Sequence, residues 1–236
     1  MRVLVTRSSQ EIQREIAELN LRGHKAISSP LLQIKPIEGP QINLEGSQAI
    51  LISSRAGVRA LAKVSKERKI PVFTVGDSTA DVALDLGYKR VESAHGDLKD
   101  LLVLSRRRLI KGAGKIFIAS GADVVEDLEE HLEKDGFEVE RRILYEASLV
   151  DNLSAYAEKY IRARKIDVVL FFSARTADSF VKIVIKSNLE EACSTMNAVC
   201  LSERVAKQAR KISWLRVCFA KKPDRDSLYS LLESIQ

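Results

Sequence analysis

The chain has 236 residues, 38 Lys plus Arg against 32 Asp plus Glu for a formal charge of +6, with 45% hydrophobic and 30% charged residues. That apolar share lies above the range of disordered chains, so a folded core is expected, in one large domain or in two of about 100 to 120 residues. No apolar run approaches the roughly twenty residues that span a bilayer, and the start Met1-Arg2-Val3-Leu4-Val5-Thr6-Arg7 turns polar too early for a signal peptide, so the expectation is a cytoplasmic protein that begins near Met1 and has no membrane partner.

In chain order, short β-branched runs at 3–6, 25–28, 49–53, 72–75, 90–92, 115–119, 138–145, 168–172, 198–201 and 216–219 read as strands. Nearly every one precedes an amphipathic helical stretch. The alternation predicts an α/β fold of parallel sheets flanked by helices. A helix over 9–21 places Ile12, Ile16 and Leu19 on one face and stops at Gly23. One over 124–135 repeats the plan with Val125, Leu128 and Leu132 and stops at Gly136. Residues 30–46 hold Pro30, Pro36, Gly39 and Pro40 and read as an extended linker.

The pattern occurs twice. Arg2-Val3-Leu4-Val5 aligns with Lys115-Ile116-Phe117-Ile118 at the offset that also relates Gly23 to Gly136. Ile50-Leu51-Ile52-Ser53-Ser54-Arg55 aligns with Leu170-Phe171-Phe172-Ser173-Ala174-Arg175, and residues 75–80 align more weakly with 201–206. Two blocks in the order a, b, a′, b′ indicate internal duplication and two similar domains. Order alone leaves open whether a folds with b or with b′.

Cys193, Cys200 and Cys218 form an odd set in the last quarter and read as free thiols, two of them inside apolar runs. His24, His95 and His131 are too far apart for a ligand set, and no metal is expected. Gly112-Ala113-Gly114-Lys115 precedes a strand where a phosphate loop precedes a helix, so it reads as a turn. Arg106-Arg107-Arg108 carries no interleaved aromatics and reads as a helix end, without a nucleic-acid partner. No G-x-S-x-G elbow and no G-x-G-x-x-G is present.

Ligands of parallel sheets sit at the carboxyl ends of strands, against the N–H groups of the next helix. Four such junctions are rich in small hydroxylated residues: Ser53-Ser54-Arg55, Gly76-Asp77-Ser78-Thr79, Ser173-Ala174-Arg175 and Ser202-Glu203-Arg204. The plain reading of each is helix capping, worth about 1 kcal/mol. Their recurrence, three times with arginine, points beyond capping to a site for a carboxylate or phosphate.

These junctions, with Thr6-Arg7, the segments AILISSRAGVRAL, VFTVGDSTADVALDLGY, LYEAS and DVVLFFSARTADSF, and the last helix after Pro223, give the chain a resemblance to uroporphyrinogen-III synthases along nearly its whole length. The resemblance implies two flavodoxin-like domains, 1–36 with 150–236 and 37–149, joined by two extended linkers, with a folded against b′ and b against a′. It implies conversion of hydroxymethylbilane, a linear tetrapyrrole octa-acid, to uroporphyrinogen III in the interdomain cleft, with inversion of ring D, loss of water and no cofactor, in a monomer. It assigns substrate binding to Arg7 and to the four junctions, and hydroxyl loss to Tyr145. Val205-Ala206 departs from the Thr-Ala of many members, so valine offers no hydroxyl at that position. The alternative left by the residues alone is a non-catalytic two-domain binding protein for a small polyanion.

Overall fold

The computed structural model describes residues 1–123 and 128–235. In chain order the elements are β1 (Arg2–Val5), α1 (Ile12–Leu21), β2 (Lys25–Ser28), β3 (Leu32–Pro36), β4 (Ser47–Ile52), α2 (Arg55–Val64), β5 (Val72–Thr74), α3 (Asp77–Asp85), β6 (Val91–Ser93), α4 (Leu98–Arg108) and β7 (Lys115–Gly121). They continue with α5 (Leu128–Lys134), β8 (Val139–Leu149), α6 (Ala155–Arg162), β9 (Val168–Phe171), α7 (Ala174–Lys186), α8 (Glu190–Cys193), β10 (Asn197–Cys200), α9 (Glu203–Ala209), β11 (Arg216–Phe219) and α10 (Arg225–Glu233). The chain divides into two compact units, Met1–Gln33 with Ser148–Gln236, and Ile34–Ala147.

Unit 1 holds a sheet in the order β11-β10-β9-β1-β2, with all of these pairings parallel. Its strands are apolar on both faces. Leu4, Val169 and Phe171 pack with α7 and α9 residues such as Phe180 and Val205, whereas Val3, Val5 and Leu170 pack with Ile12, Leu19 and Leu228 of α1 and α10. Alternate side chains point to opposite faces of a strand, so covering both faces requires unbroken apolar runs such as Val168-Val169-Leu170-Phe171. Unit 2 holds a sheet in the order β3-β8-β7-β4-β5-β6. Apart from β3, each sheet has the same sequence of neighbours when β1 is matched to β7, β2 to β8, and β9–β11 to β4–β6. Block a thus folds with b′, and b with a′.

The two repeated helix stops are built alike. Gly23 and Gly136 have φ of +76° and +87°, a left-handed conformation that glycine adopts without a Cβ clash. In each case the next residue's N–H bonds five residues back, His24 to Leu19 and Phe137 to Leu132, which completes a Schellman ending. The helix expected from residue 9 starts at Ile12; a turn from Ser8 to Glu11 comes first, and the Ser9 N–H bonds to Leu32 O. Val124 and Val125 of the second helix lie outside the described residues.

The segment read as an extended linker contains β3, a strand at the edge of the unit 2 sheet. Proline is tolerated on an edge because one side of the strand makes no ladder bonds, and Pro36 is its last residue. The arginine run closes α4, with Arg106 2.6 Å from Asp135 and Arg108 2.8 Å from Glu92. No helix among the described residues is long and apolar enough to cross a membrane, and no cluster of three metal-ligating side chains occurs among them.

Cys193 and Cys200 are buried, and burial pushes both thiols up to about 12, while Cys218 is half-buried. Only the thiolate reacts with disulfide reagents. Titration of the native protein near neutral pH is therefore expected to consume one thiol promptly and all three only in denaturant. Prompt reaction of three native thiols would contradict this packing.

Candidate functional site

In doubly wound sheets the ligand crevice opens at the carboxyl ends of the strands, where the winding direction reverses. That position falls between β7 and β4 in unit 2 and between β1 and β9 in unit 1.

In unit 2, β4 ends at Ile52, leaving Ser53 exposed and Ser54 as N-cap of α2, its Oγ accepting from Gly57 N at 3.0 Å. The same Oγ lies 2.8 Å from the Tyr145 hydroxyl, a residue 91 positions away on β8. One hydroxyl thus makes both the helix cap and the contact to Tyr145. Arg55 opens the helix half-buried. Tyr145 reaches Ser54 through an irregularity in the β7–β8 ladder: Ser120 pairs with Ile143, but Gly121 pairs with Tyr145, so β8 carries one extra residue. Leu144 and Tyr145, though adjacent, therefore pack on the same core cluster, as expected where a bulge re-aims a side chain.

The Gly76 junction heads α3 and has no side-chain cap. Thr79 is buried, whereas Asp77 and Ser78 are exposed. Asp77 Oδ1 lies 2.7 Å from His95 Nδ1, and His95 has a φ of +57°. The Ser93 hydrogen bond holds the Asp77 carboxyl below its ordinary range, desolvation opposes this, and His95 adds to the lowering. His95, weighed in the sequence only as a metal ligand, belongs to this junction, and no spacing rule connects it to Asp77.

In unit 1, Ser173 caps α7, accepting from Thr176 N at 3.2 Å, with Ala174 half-buried and Arg175 exposed beside it. Ser202 is the N-cap of α9 without a side-chain bond, and Glu203 and Arg204 are exposed. Arg7 follows β1. Its guanidinium lies 4.5 Å above the Phe172 ring and 3.8 Å from carboxylate oxygens of both Glu11 and Glu15. Glu15 is fully buried on the apolar face of α1. It accepts a short hydrogen bond from the Tyr229 hydroxyl and has Arg225 Nη2 3.0 Å away. Burial first, and then the Glu15 hydrogen bond, pushes the Tyr229 phenol up to about 12, so it stays a donor. Glu15, Arg225 and Tyr229 escaped the sequence reading because helical spacing assigns Glu15 to a face and not to a partner.

Open cavities of unit 2 also lie elsewhere. One of about 820 Å³ is lined by Ser47, Pro71, Arg90 and Arg108, at the amino ends of β4 and β5. Its lining mixes cations with Glu67 and Glu92 and offers no helix N-terminus, in contrast to the carboxyl ends of the strands.

A family model described as "HEM4: Uroporphyrinogen-III synthase HemD" matches residues 13–230. A porphyrin biosynthesis protein HemD of Ruminiclostridium josui is 23% identical over 99% of the chain, which spans 48% of that protein's length. The crystal structure of uroporphyrinogen-III synthetase from Helicobacter pylori aligns over 100% of both chains with a TM-score of 0.65 at 17% identity. A mutant uroporphyrinogen III synthase from Thermus thermophilus aligns over 100% of this chain and 99% of its own with a TM-score of 0.54, also at 17% identity. At these identities the two structures speak for the fold, and the match over residues 13–230 shows that the chain belongs to the uroporphyrinogen-III synthase family.

Proposed function

We propose that the chain cyclises hydroxymethylbilane to uroporphyrinogen III. The observation that carries this reading is the Tyr145–Ser54 hydroxyl pair, 2.8 Å apart at the switch point of unit 2, in a chain of this family. The terminal hydroxyl of the bilane leaves with a donated proton as water, giving an azafulvene cation. The substituted carbon of the distal pyrrole attacks that cation to form a spiro-pyrrolenine. Fragmentation and recombination close the ring with ring D inverted, and loss of a proton restores the balance. In this reading Tyr145 supplies a hydrogen bond to the departing hydroxyl.

The remaining work is positional. Unaided closure gives the uninverted isomer, so the protein must hold one folded arrangement of the substrate. Eight carboxylates call for many N–H donors and cations. The reading assigns them to the heads of α2 and α3 in unit 2 and of α7 and α9 in unit 1, with Ser53, Ser54, Arg55, Gly76, Asp77, Ser78, Thr79, Ser173, Ala174, Arg175, Ser202, Glu203 and Arg204 nearest the ligand. Asp77 enters as an acceptor for His95 and Ser93, not as an anion ligand. Arg7, held by Phe172, Glu11 and Glu15, shapes the unit 1 end from beneath.

The experiment is a single incubation with hydroxymethylbilane followed by chromatographic separation of the oxidised isomers. Isomer III in excess of a protein-free blank is expected. A product mixture identical to the blank would remove the synthase reading and leave the binding protein for a small polyanion.

A further inference from the structure

We propose that Gly121 is a positioning residue for the Tyr145 hydroxyl, acting with Ser54 as a two-point clamp, an inference that rests on the synthase reading above. Gly121 ends β7, and its φ is not among the left-handed values, so the backbone there accepts any residue. Its missing Cβ therefore serves space and not conformation. A Cβ built at Gly121 would lie 2.7 Å from Tyr145 Cζ, 2.8 Å from Cε2 and 2.9 Å from the hydroxyl oxygen. Such separations are well inside van der Waals contact, and a glycine inside a strand commonly marks a site where another group approaches this closely. The outer end of the phenol occupies the space that a Cβ at 121 would take.

The second point of the clamp sets direction. Ser54 Oγ already accepts from Gly57 N–H at 3.0 Å. An oxygen that accepts from a helix amide becomes a better donor through its own hydrogen, and the oxygen 2.8 Å away, able to accept it in the proposed clamp, is that of Tyr145. With Ser54 donating, the Tyr145 O–H is left free to turn outward as a donor, which is the role that hydroxyl loss requires. The backbone of Tyr145 is held as well, its carbonyl accepting from Ala122 N at 3.0 Å. Ring, hydroxyl and main chain are thus each fixed by a different neighbour, and an added methyl group at 121 must displace the ring from Ser54.

The test is a double-mutant cycle of wild type, Gly121→Ala, Tyr145→Phe and the double variant, each assayed for kcat, KM and isomer ratio with hydroxymethylbilane. Gly121→Ala is expected to lower kcat by about tenfold or more, a share of what a positioned acid contributes, with KM nearly unchanged. In the Tyr145→Phe background the same substitution is expected to cost almost nothing, because no hydroxyl remains to misplace. A purely structural role would instead lower kcat equally in both backgrounds. Ser54→Ala, which adds no atom near Gly121, runs through the same cycle and decides the matter if Gly121→Ala folds poorly by circular dichroism. Equal losses in both backgrounds, or a Gly121→Ala enzyme at full speed, with Tyr145→Phe slow, would overturn the clamp alone. A full-speed Tyr145→Phe enzyme would overturn the role of the phenol and the clamp together. Wild-type protein that makes only isomer I would overturn the synthase reading and the proposal with it.

Discussion

Tyr145→Phe is expected to lower kcat for isomer III formation by about 100-fold, the lower end of what a positioned proton donor contributes, while the protein stays folded. Phenylalanine keeps the ring that packs against Gly121 and the neighbouring core, and removes one oxygen. Ser54 loses a partner but keeps its bond to Gly57 N, so the head of α2 remains capped. The chemical step loses more, because a hydroxide leaving without a nearby donor must draw its proton from water. The intermediate forms more slowly, the substrate has time to escape, and unaided closure then raises the share of isomer I. Rapid-quench measurement of the rate and the isomer ratio checks both parts. A variant with wild-type kcat and unchanged isomer ratio would remove Tyr145 from the reaction.

Glu15→Ala is expected to destabilise unit 1 by about 3–5 kcal/mol, the range for removing one partner of a buried ion pair. Its carboxylate is fully buried between Arg225, 3.0 Å away, Arg7, 3.8 Å away, and the Tyr229 hydroxyl. Alanine leaves two partly buried guanidiniums without that counter-charge and a cavity on the face where α1 and α10 cover the sheet. A two-unit protein need not unfold in one step, so the probe must belong to unit 1. Trp214 does: it is the only tryptophan of the chain and lies in the unit 1 core beside Phe171 and Phe180. Urea transitions followed by its fluorescence should shift strongly to lower concentration in Glu15→Ala. Glu15→Gln keeps the volume and an acceptor for Tyr229 and should lose less. Coincident transitions for wild type and Glu15→Ala would show that the buried carboxylate contributes nothing to stability.

Most of the fold was legible because it depends on local and periodic signals. Runs such as Val168-Val169-Leu170-Phe171 announce strands covered on both faces, and Gly23 and Gly136 mark helix ends that recur in the structure bond for bond. The edge strand β3 was hidden by Pro36 and by the nearby Pro30 and Pro40, which argue against a central strand but not against an edge. The start of α1 was placed three residues early because residues 8–11 form a turn of their own, docked through the Ser9 N–H to Leu32, a partner that no local pattern names. The apolar flanks of Cys200 and Cys218 suggested burial, which holds for Cys200, while Cys218 on the edge strand β11 is half-buried; Cys193, without such flanks, is buried.

The candidate site divides differently. Residue types alone indicated strand-to-helix junctions carrying Ser, Thr and Arg, because helix N-termini impose a local requirement that sequence can display. By itself the sequence determined the α/β class, the duplication and the places where an anion could meet N–H groups. Only the tertiary structure decided that Ser54 meets Tyr145, that Gly121 lies under its ring, that Asp77 holds His95, and that Arg7 pairs with a buried Glu15. The reason is physical: those contacts join strands and helices far apart in the chain, and their geometry follows from sheet order and a one-residue shift in register, neither of which is written in any single segment.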